Sequence, residues 1–378
     1  MKNILFITNN ASRTGAPILL LNLIHWLVDN KSKDYKITLL AVTGGPLIED
    51  FRKLVDVKLF NTKTDTKFHY LNVLLNKIQN RKTKLWLKNT NFDLIFSNTI
   101  VNGKQIKFLK KGDTPVISYI HELEYSINEY KNLGVVEGTL TKSDFFICGS
   151  HMVKNNLIDN HNINPSKTAV VNSFAELKGN SKNKKIAEEI RKSLSIPADS
   201  MVVGMMGKLN WRKGADIFAN TASRLDSKNV WFLWIGASNQ KLMELITYDL
   251  DRANKNINII FLPPSPNFAK YFNIIDLFFL SSREDPYPMV SMEATSYGIP
   301  LICFENAGGT QEFIDSKTGE LVPYGDPEEA AQKIKFFNDN RSLLIENSSY
   351  ITEKSIKSHD IELNAPQIVS IIEKFIQK

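Results

Sequence analysis

The chain has 378 residues, 43% of them hydrophobic and 23% charged, which is ordinary for a soluble globular protein and long enough for two domains with separate cores. Its net charge of +7 is uneven. Residues 1–178 hold 24 Lys and Arg against 15 Asp and Glu, and the remainder hold 23 against 25, so an anionic partner is expected for the first half only. Cys148 and Cys303 lie in apolar runs, which favours reduced thiols in the cytosol. Because the apolar runs are too short for a secretion signal or a membrane span, a cytoplasmic protein is predicted.

The first half alternates strand and helix patterns, which predicts a parallel sheet covered on both faces by helices. Helical periodicity is expected over 17–29 and over about 68–88. Short apolar runs predict strands at 2–8, 35–42, 57–60, 93–98, 115–120, 144–150 and 168–174.

A polar and charged stretch near 175–199 predicts a linker. After it, strand patterns resume at 200–207, 230–236, 257–262, 274–280, 300–304 and 319–322, and the tail from about Ala365 predicts an amphipathic helix. The predicted fold is therefore α/β, with two Rossmann-like doubly wound domains, 1–175 and 200–360, and a C-terminal helix, 361–378, that packs back toward the first domain. Open sheets of this kind bind ligands at the carboxyl ends of their strands, so a cleft between the two domains is expected.

Residues 280–309, LSSREDPYPMVSMEATSYGIPLICFENAGG, hold the densest group of candidate site residues. Pro286 and Pro288 can precede or open a helix but would break its middle, so a helix is predicted over 288–297, with Gly298 as its C-cap. The order is then strand, polar loop, helix and strand. A helix that begins just after a strand presents backbone N–H groups to an anion.

Three acids belong to this stretch. Glu284 and Asp285 lie in the loop, and Glu293 follows Asp285 by eight residues, a little over two helical turns, so Glu293 shares a face with the helix start. The alternative is a solvated helix with acids favoured by the helix dipole. That alternative explains less well why acids, prolines, small residues and an AGG run occur together.

In the first half, two residues after predicted strands are candidates. Gly15 permits an unusual backbone angle or a close approach of a ligand, although it could be only a loop glycine. His121 ends the strand at 115–120, where it could be an acid, a base or a hydrogen-bond partner of a sugar hydroxyl, or could cap nearby backbone. Neither G-x-G-x-x-G nor the P-loop pattern occurs.

Three basic residues, Lys208, Arg212 and Lys213, follow the first strand of the second half and precede a helix. Cations at a helix start suit a diphosphate and would stabilise the charge that develops as it leaves. The alternative is a solvated basic turn.

Two basic stripes occur in the first half: Lys77, Arg81, Lys84 and Lys88, then Lys104, Lys107, Lys110 and Lys111. A basic amphipathic helix favours contact with an anionic membrane surface or acceptor, although such a stripe can also be the wet face of a helix that packs on a core. Aromatic residues are not interleaved with these charges as in a stacking platform, so nucleic acid is not expected.

Together these features resemble the retaining glycosyltransferases of family 4, which have the GT-B fold, and the similarity covers nearly the whole chain. The segment REDPYPMVSMEATSYGIPLICFENAGGTQE looks like the acidic signature of that family. GKLNWRKG is similar to its diphosphate-binding loop, RTGAPILLLNLIHWL to its N-terminal glycine loop, and KTGELVPYGD to a late segment.

The resemblance implies a role for each candidate residue. Glu293 would hold the ribose hydroxyls of the nucleotide, Lys213 would bind the diphosphate, and His121 would lie near the transferred sugar. The other implied contacts come from the glycine loop beneath the diphosphate, Gly15 and Ala16, and from the backbone of Tyr287, Pro288, Met289 and Val290 at the sugar and phosphates.

The sequence departs from the family pattern at two places. Lys208 stands where the family often has Arg, so a point charge replaces a planar fork and Arg212 is a possible substitute. The first acid at signature spacing is Asp285, with Glu284 just before it, and both remain candidates to face the sugar.

The expected function is retaining transfer of a sugar from a UDP- or GDP-sugar to an acceptor hydroxyl, on a saccharide or lipid-linked saccharide of a bacterial cell-surface polysaccharide. Peripheral contact with the inner face of the cell membrane would use the basic first half. The resemblance implies no cofactor and no essential metal, because Lys208 or Arg212, Lys213 and helix-start amides would neutralise the leaving diphosphate. Consistent with this, no D-x-D lies at the end of a strand. The alternatives are a UDP-sugar 2-epimerase and a non-catalytic nucleotide-sugar or membrane-surface binding protein.

Overall fold

The computed structural model describes residues 1–61, 69–177, 179–225, 227–253 and 257–377. The chain forms two compact units: unit 1 comprises Met1–Glu176 with Ile361–Lys378, and unit 2 comprises Leu177–Asp360. Phe68, predicted to begin a long helix, lies outside the described residues. None of the described helices combines the length and the apolar character needed to cross a membrane.

Unit 1 is built on a parallel sheet of seven strands in the order β3-β2-β1-β4-β5-β6-β7. The strands are β1 (Lys2–Thr8), β2 (Tyr35–Thr43), β3 (Asp56–Asn61), β4 (Leu94–Ser97), β5 (Val116–Ile120), β6 (Phe145–Cys148) and β7 (Thr168–Val170). The central strands β4 and β5 are buried along their whole length, as expected for apolar runs covered on both faces.

The connections of this sheet are helical. They are α1 (Gly15–Lys31), α2 (Ile48–Arg52), α3 (His69–Asn89), α4 (Gly103–Leu109), α5 (Glu124–Lys131), α6 (Glu137–Lys142) and α7 (His151–His161), with short 3₁₀ turns at Ile100–Asn102 and Pro165–Lys167. The helix α1 packs its apolar face on the sheet through Leu20, Leu23 and Leu27, which are fully buried. Alternate residues of β1 enter different hydrophobic clusters, Ile4 and Phe6 one and Leu5 and Ile7 another, so the sheet is covered on both faces, as the alternating sequence pattern predicts.

Unit 2 repeats this architecture with six parallel strands in the order β10-β9-β8-β11-β12-β13. They are β8 (Met201–Met206), β9 (Val230–Ile235), β10 (Ile259–Leu262), β11 (Leu277–Leu280), β12 (Leu301–Phe304) and β13 (Gly319–Val322). The prediction of an α/β protein with two doubly wound parallel sheets is therefore confirmed.

The helices of unit 2 are α8 (Lys184–Ser193), α9 (Ala215–Arg224), α10 (Gln240–Arg252), α11 (Met289–Ser296), α12 (Pro327–Asp339), α13 (Ser342–Glu346) and α14 (Ser348–His359). The stretch 175–199, predicted as a linker, contains α8. Asn183 caps this helix by accepting a hydrogen bond from the Ile186 amide at 3.1 Å, and Ile190 enters the core of unit 2. Most residues of α8 are exposed, so its sequence is polar and resembles a linker.

The strand predicted over 274–280 is shorter in the structure and begins at Leu277. A 3₁₀ segment, Phe268–Asn273, precedes it, and the amides of Ile274 and Ile275 both donate to the carbonyl of Tyr271. Those amides are therefore committed to a turn, and pairing with β8 begins only where the Asp276 amide donates to the Val202 carbonyl.

The last helix, α15 (Ile361–Ile376), belongs to unit 1 although it follows unit 2 in sequence. Its apolar face, including Ile368 and Ile372, is buried in the same core as α1. Trp26 on α1 donates its indole N–H to the Glu362 carboxylate at 3.0 Å. The amphipathic pattern of the tail is thus explained by packing within unit 1.

Candidate active site

Each sheet has a switch point, where the connections leave neighbouring strands in opposite directions. It lies between β1 and β4 in unit 1 and between β8 and β11 in unit 2. Loops from the carboxyl ends of such strands form the crevice in which open α/β sheets bind ligands. The predicted site residues follow these strands or their neighbour β5: Gly15 and Ala16 after β1, His121 after β5, Lys208, Arg212 and Lys213 after β8, and Glu284 and Asp285 after β11.

In unit 2 the loops after β8 and β11 pack directly on each other. Gly214, with φ at 68°, lies so close that a Cβ there would be 1.9 Å from the Ser281 carbonyl oxygen. Glycine is therefore required at this contact. The Arg283 amide donates to the Arg212 carbonyl at 2.8 Å, and the Ser281 hydroxyl donates to the Lys213 carbonyl at 3.1 Å. These bonds join the two loops into one wall.

A buried ion pair lies on this wall. The Lys213 ammonium donates to the Asp285 carboxylate, and their side chains are only 12% and 8% exposed. Arg212 Nη1 lies 3.7 Å from the other Asp285 oxygen and donates to the Glu284 carbonyl at 2.6 Å. Burial disfavours the Asp285 anion, but Lys213 and Arg212 outweigh it and hold the pKa of Asp285 below its ordinary value. Asp285 is therefore an anion in the unliganded site.

The three predicted cations sit at different depths in the loop. Lys208 is exposed, Arg212 is partly exposed, and Lys213 is the most enclosed. Burial lowers the pKa of the Lys213 ammonium, against the raising effect of Asp285. An anionic ligand entering here would meet one buried and two more accessible positive charges.

The helix α11 begins beside this wall. Pro288 is the N-cap of this helix. Because proline has no N–H, the backbone amides that can donate from the predicted loop are those of Tyr287, Met289 and Val290. The first N–H groups of a helix have no intrahelical acceptor, and no acidic residue occupies the first turn of α11. The helix start is therefore suited to an anion.

Glu293 lies one turn into α11 and is the least satisfied acid of the site. Its Oε2 is buried and has no hydrogen-bond partner among the described residues. Burial raises the pKa of Glu293 to about 7. Buried carboxylate oxygens are normally paired, so this atom is placed to receive hydrogen bonds from a bound molecule.

Tyr287 anchors the loop ahead of α11. Its phenol oxygen lies 2.7 Å from Nε2 of His359, at the end of α14, and both side chains are buried. The His359 ring also packs against Phe313 with ring centroids 5.7 Å apart. The side chain of Tyr287 thus fixes the loop, leaving its backbone to face the site.

In unit 1 the side chains that meet at the switch point include the uncharged Asn98 and His121. Asn98, the residue after β4, donates to the Ala16 carbonyl at 2.8 Å and lies 2.9 Å from Nε2 of His121. Burial lowers the pKa of His121 to about 3, so its ring is neutral near pH 7. Gly15 is the exposed first residue of α1, and a Cβ there would meet no atom within 4 Å.

The two basic stripes have different surroundings. In α3, Lys77, Arg81, Lys84 and Lys88 are exposed, and the exposed side chains include Leu85, at 61%. The second stripe is tied into the fold: Lys107 pairs with Glu137 at 2.9 Å, Lys110 with Asp144 at 2.7 Å, and Lys111 donates to the carbonyls of Leu87 and Lys88. The second stripe therefore has a structural role on the surface.

Sequence reasoning missed three residues that shape the site. The sequence pattern includes Asn98 in the predicted strand 93–98. Asn98 nevertheless lies at the end of a strand, the same kind of position that makes His121 a candidate. Glu122 accepts hydrogen bonds from the His121 and Ile100 amides, and its identity beside His121 was the available signal. His359 lies 72 residues from its partner Tyr287, and no local pattern marks that pairing.

Matches to known families cover both units. Residues 13–177 match the family described as Glycosyltransferase Family 4, and residues 186–357 match Glycosyl transferases group 1. Among curated relatives, the lipopolysaccharide core biosynthesis glycosyltransferase LpsE of Rhizobium meliloti is 28% identical over 40% of this chain and 44% of its own length. The D-inositol 3-phosphate glycosyltransferase of Corynebacterium diphtheriae is 23% identical over 62% of this chain and 60% of its own. The chain thus aligns with about half the length of these relatives.

Solved structures share the whole fold. HepE from Anabaena, in complex with UDP and glucose, superposes with a TM-score of 0.79 over 99% of this chain and 100% of its own, at 18% identity. WaaG, a glycosyltransferase involved in lipopolysaccharide biosynthesis, gives 0.72 over 98% and 99% at 12% identity. The protein therefore has the GT-B fold, as predicted. With both family matches in order along the chain, it belongs to the group 1, family 4 glycosyltransferases.

Proposed function

We propose that this protein transfers a sugar from a nucleoside diphosphate sugar to an acceptor hydroxyl, with unit 2 holding the nucleotide. The observation that carries the proposal is Glu293, whose buried Oε2 has no partner among the described residues. A ribose offers two adjacent hydroxyl donors, which suit a carboxylate that can accept several hydrogen bonds. Ligand donors would also favour ionisation of Glu293, whose pKa burial raises to about 7.

The diphosphate would lie against the cations after β8 and the start of α11. Lys208, Arg212 and Lys213 supply positive charge, and the amides of Met289 and Val290 supply oriented donors. These groups can stabilise the charge that develops on the leaving diphosphate, so we propose that the reaction needs no metal. Lys213 would then be shared between Asp285 and a phosphate oxygen.

We propose that transfer retains the anomeric configuration without a covalent sugar on the protein. Asp285, a candidate to face the sugar, accepts a hydrogen bond from Lys213 and lies 3.7 Å from Arg212. A carboxylate that is paired with two cations is a weak nucleophile. In the proposed step the bond from the anomeric carbon to the phosphate oxygen breaks and the acceptor oxygen bonds to that carbon on the same face. The departing phosphate oxygen takes the acceptor proton, so atoms and charge balance.

The donor base and the acceptor class are proposed from the similarity to other proteins. The structural neighbour HepE was solved with UDP, which makes a uridine nucleotide the first to test. Relatives are described as enzymes of lipopolysaccharide core and of capsular polysaccharide biosynthesis, the latter CapM of Staphylococcus aureus at 24% identity over 42% of this chain. We therefore propose a saccharide or lipid-linked saccharide acceptor of a cell-surface polysaccharide.

Peripheral contact with the cytoplasmic face of a membrane is also proposed, through α3. Its exposed face combines Lys84 and Lys88 with the exposed Leu85, which suits an anionic surface. Flotation with anionic and neutral liposomes tests this, using a Lys84→Glu/Lys88→Glu variant. Its matched control reverses two exposed lysines of α8, Lys185 and Lys192. Equal flotation of both variants and the parent protein would remove the proposal.

Calorimetric titration with UDP, GDP and ADP, with and without a divalent metal, tests the nucleotide site. Removing charged hydrogen bonds worth about 1.5–3 kcal/mol should weaken binding of the preferred nucleotide about 10- to 150-fold in Glu293→Gln. Glu189→Gln, an exposed acid of α8, is the matched control and should bind as the parent does. Retention is tested by NMR of the product anomer. Failure of all three nucleotides to bind would overturn the assignment.

A further inference from the structure

Three loops of unit 1 are joined by one buried amide at the switch point. Asn98 is 1% exposed; its Nδ2 lies 2.8 Å from the carbonyl oxygen of Ala16, and its Oδ1 lies 2.9 Å from Nε2 of His121. The backbone N–H of Asn98 donates to the Ile7 carbonyl at 2.9 Å, which extends the pairing of β4 with β1. One side chain thus connects the first turn of α1, the end of β4 and the end of β5.

The donors and acceptors in this chain can be assigned from chemistry. The Ala16 carbonyl can only accept, so the amide nitrogen of Asn98 must face it. The amide oxygen therefore faces His121, and because that oxygen can also only accept, Nε2 of His121 must carry a hydrogen. The orientation of Asn98 and the tautomer of His121 are fixed together.

The rest of the His121 environment keeps the ring neutral. The carboxylate nearest in sequence, Glu122, bonds the His121 backbone amide at 3.0 Å and not its ring. The Tyr119 ring packs against the imidazole with centroids 4.1 Å apart. A neutral imidazole with its hydrogen on Nε2 has its lone pair on Nδ1, which is then a hydrogen-bond acceptor. Gly149 lies beside Nδ1, because a Cβ at that position would be 3.6 Å from this atom, in ordinary van der Waals contact.

We propose that Asn98 is a positioning residue of this site: it holds His121 as the Nε2–H tautomer and so presents Nδ1 as an acceptor for a sugar hydroxyl. This rests on the proposed function, which brings a nucleotide sugar to the protein. His121 acts as an acceptor and not as a general acid. The side-chain amide of Asn98 also hydrogen-bonds to Ala16, in the predicted diphosphate loop, and so links that loop to His121.

Long-range ¹H–¹⁵N correlation spectra of the full chain, labelled with ¹⁵N-histidine, measure the tautomer directly. The His121 signals are identified by their loss in His121→Gln. The parent protein should show a protonated Nε2 and an unprotonated Nδ1 from pH 6 to 8. Asn98→Ala should remove this preference, and Asn98→Asp should raise the pKa of His121, because a carboxylate then accepts from Nε2.

Asn102 supplies a matched control. It is also a buried asparagine whose Nδ2 lies near the end of β1, 3.2 Å from the Ile7 carbonyl, but no described hydrogen bond joins it to His121. Asn102→Ala should therefore disturb packing at least as much while leaving the His121 tautomer unchanged. A protonated Nδ1 in the parent protein, or the same spectrum in Asn98→Ala as in the parent, would overturn the proposal. If Asn98→Ala does not fold, the parent tautomer and Asn98→Asp still decide it.

The role toward the sugar is tested with UDP-glucose, GDP-mannose and ADP-glucose, each beside its nucleoside diphosphate. A nucleotide sugar that binds should shift the Nδ1 resonance where its diphosphate does not, and Asn98→Ala should lower kcat/KM at least about tenfold. A bound sugar that leaves Nδ1 unmoved overturns the acceptor role. If no nucleotide or nucleotide sugar binds at all, the proposed function fails and with it the role toward the sugar, whereas the tautomer still decides whether Asn98 positions His121.

Discussion

Replacing Glu293 by glutamine should stabilise the unliganded protein at alkaline pH while weakening the proposed binding of a nucleotide. Burial raises the pKa of Glu293 from its ordinary 4.5 to about 7. Between these values the folded protein binds more protons than the unfolded chain, so this residue makes the free energy of unfolding fall as pH rises. The cost is absent below pH 4.5 and complete above about pH 7. A difference of about 2.5 pKa units corresponds to about 3 kcal/mol.

Glutamine is neutral at every pH and avoids that cost. Thermal unfolding of unit 2 at pH 8 should therefore show a gain of up to about 3 kcal/mol for Glu293→Gln, or roughly 6–12 °C for a domain of this size. At pH 4.5 the variant and the parent should unfold together. On the proposed function, nucleotide affinity should change in the opposite direction, because a neutral amide would replace the anion proposed to receive the ribose hydroxyls.

Glu189→Gln is the control for charge removal, because Glu189 is exposed on α8 and should leave unfolding unchanged at both pH values. The reasoning is refuted if Glu293→Gln is no more stable than the parent at pH 8. It is equally refuted if the gain is as large at pH 4.5, since that would locate the effect in packing and not in ionisation.

Three further substitutions test the wall and the loop beside it. Lys213→Met should destabilise the protein by about 3–5 kcal/mol in urea unfolding, because the buried Asp285 carboxylate loses its ammonium partner and keeps only Arg212, 3.7 Å away, as a cation. Adding Asp285→Asn should recover most of the loss, and a stable single variant would contradict this. Gly214→Ala places a Cβ 1.9 Å from a carbonyl oxygen at φ 68°, so it should cost at least about 1–3 kcal/mol in the same assay, and unchanged stability would exclude the close contact. Tyr287→Phe leaves His359 without its phenol partner and should cost about 1–3 kcal/mol, whereas Tyr287→Phe combined with His359→Phe should be non-additive in a double-mutant cycle.

The fold could be predicted because its signal is local. Apolar runs such as those of β4 and β5 are buried on both faces, and a parallel strand needs no long-range information to be recognised. The predicted ends of strands were wrong where hydrogen bonds of a turn replace those between strands. This happens before β11, where the amides of Ile274 and Ile275 donate to the Tyr271 carbonyl. Helix α8 was missed because its polarity resembles a linker and only Ile190 of its side chains is fully buried.

The site divides in the same way. Lys213, Asp285 and Glu293 could be selected from spacing after strands and within one helix, because the carboxyl ends of parallel strands meet at one edge. Which atoms pair could not be predicted: the bond between Lys213 and Asp285 joins residues 72 apart. Likewise, the lack of a hydrogen-bond partner for Glu293 Oε2 among the described residues is a property of packing, which only the folded chain reveals.

The two switch points differ in the charge of their side chains, and this difference bears on the kind of chemical group that each can bind. In unit 2, Lys213 and Arg212 surround one buried anion, Asp285, so a phosphate group entering there would meet positive charge that is already desolvated in part. In unit 1, Asn98 and His121 form a neutral chain, and the low pKa of His121 keeps it neutral. Neutral, oriented donors and acceptors discriminate hydroxyl groups without attracting anions, because a mispaired hydroxyl leaves a buried polar atom unsatisfied. The switch point of unit 2 therefore suits an anionic group, and the neutral pair in unit 1 suits hydroxyl groups.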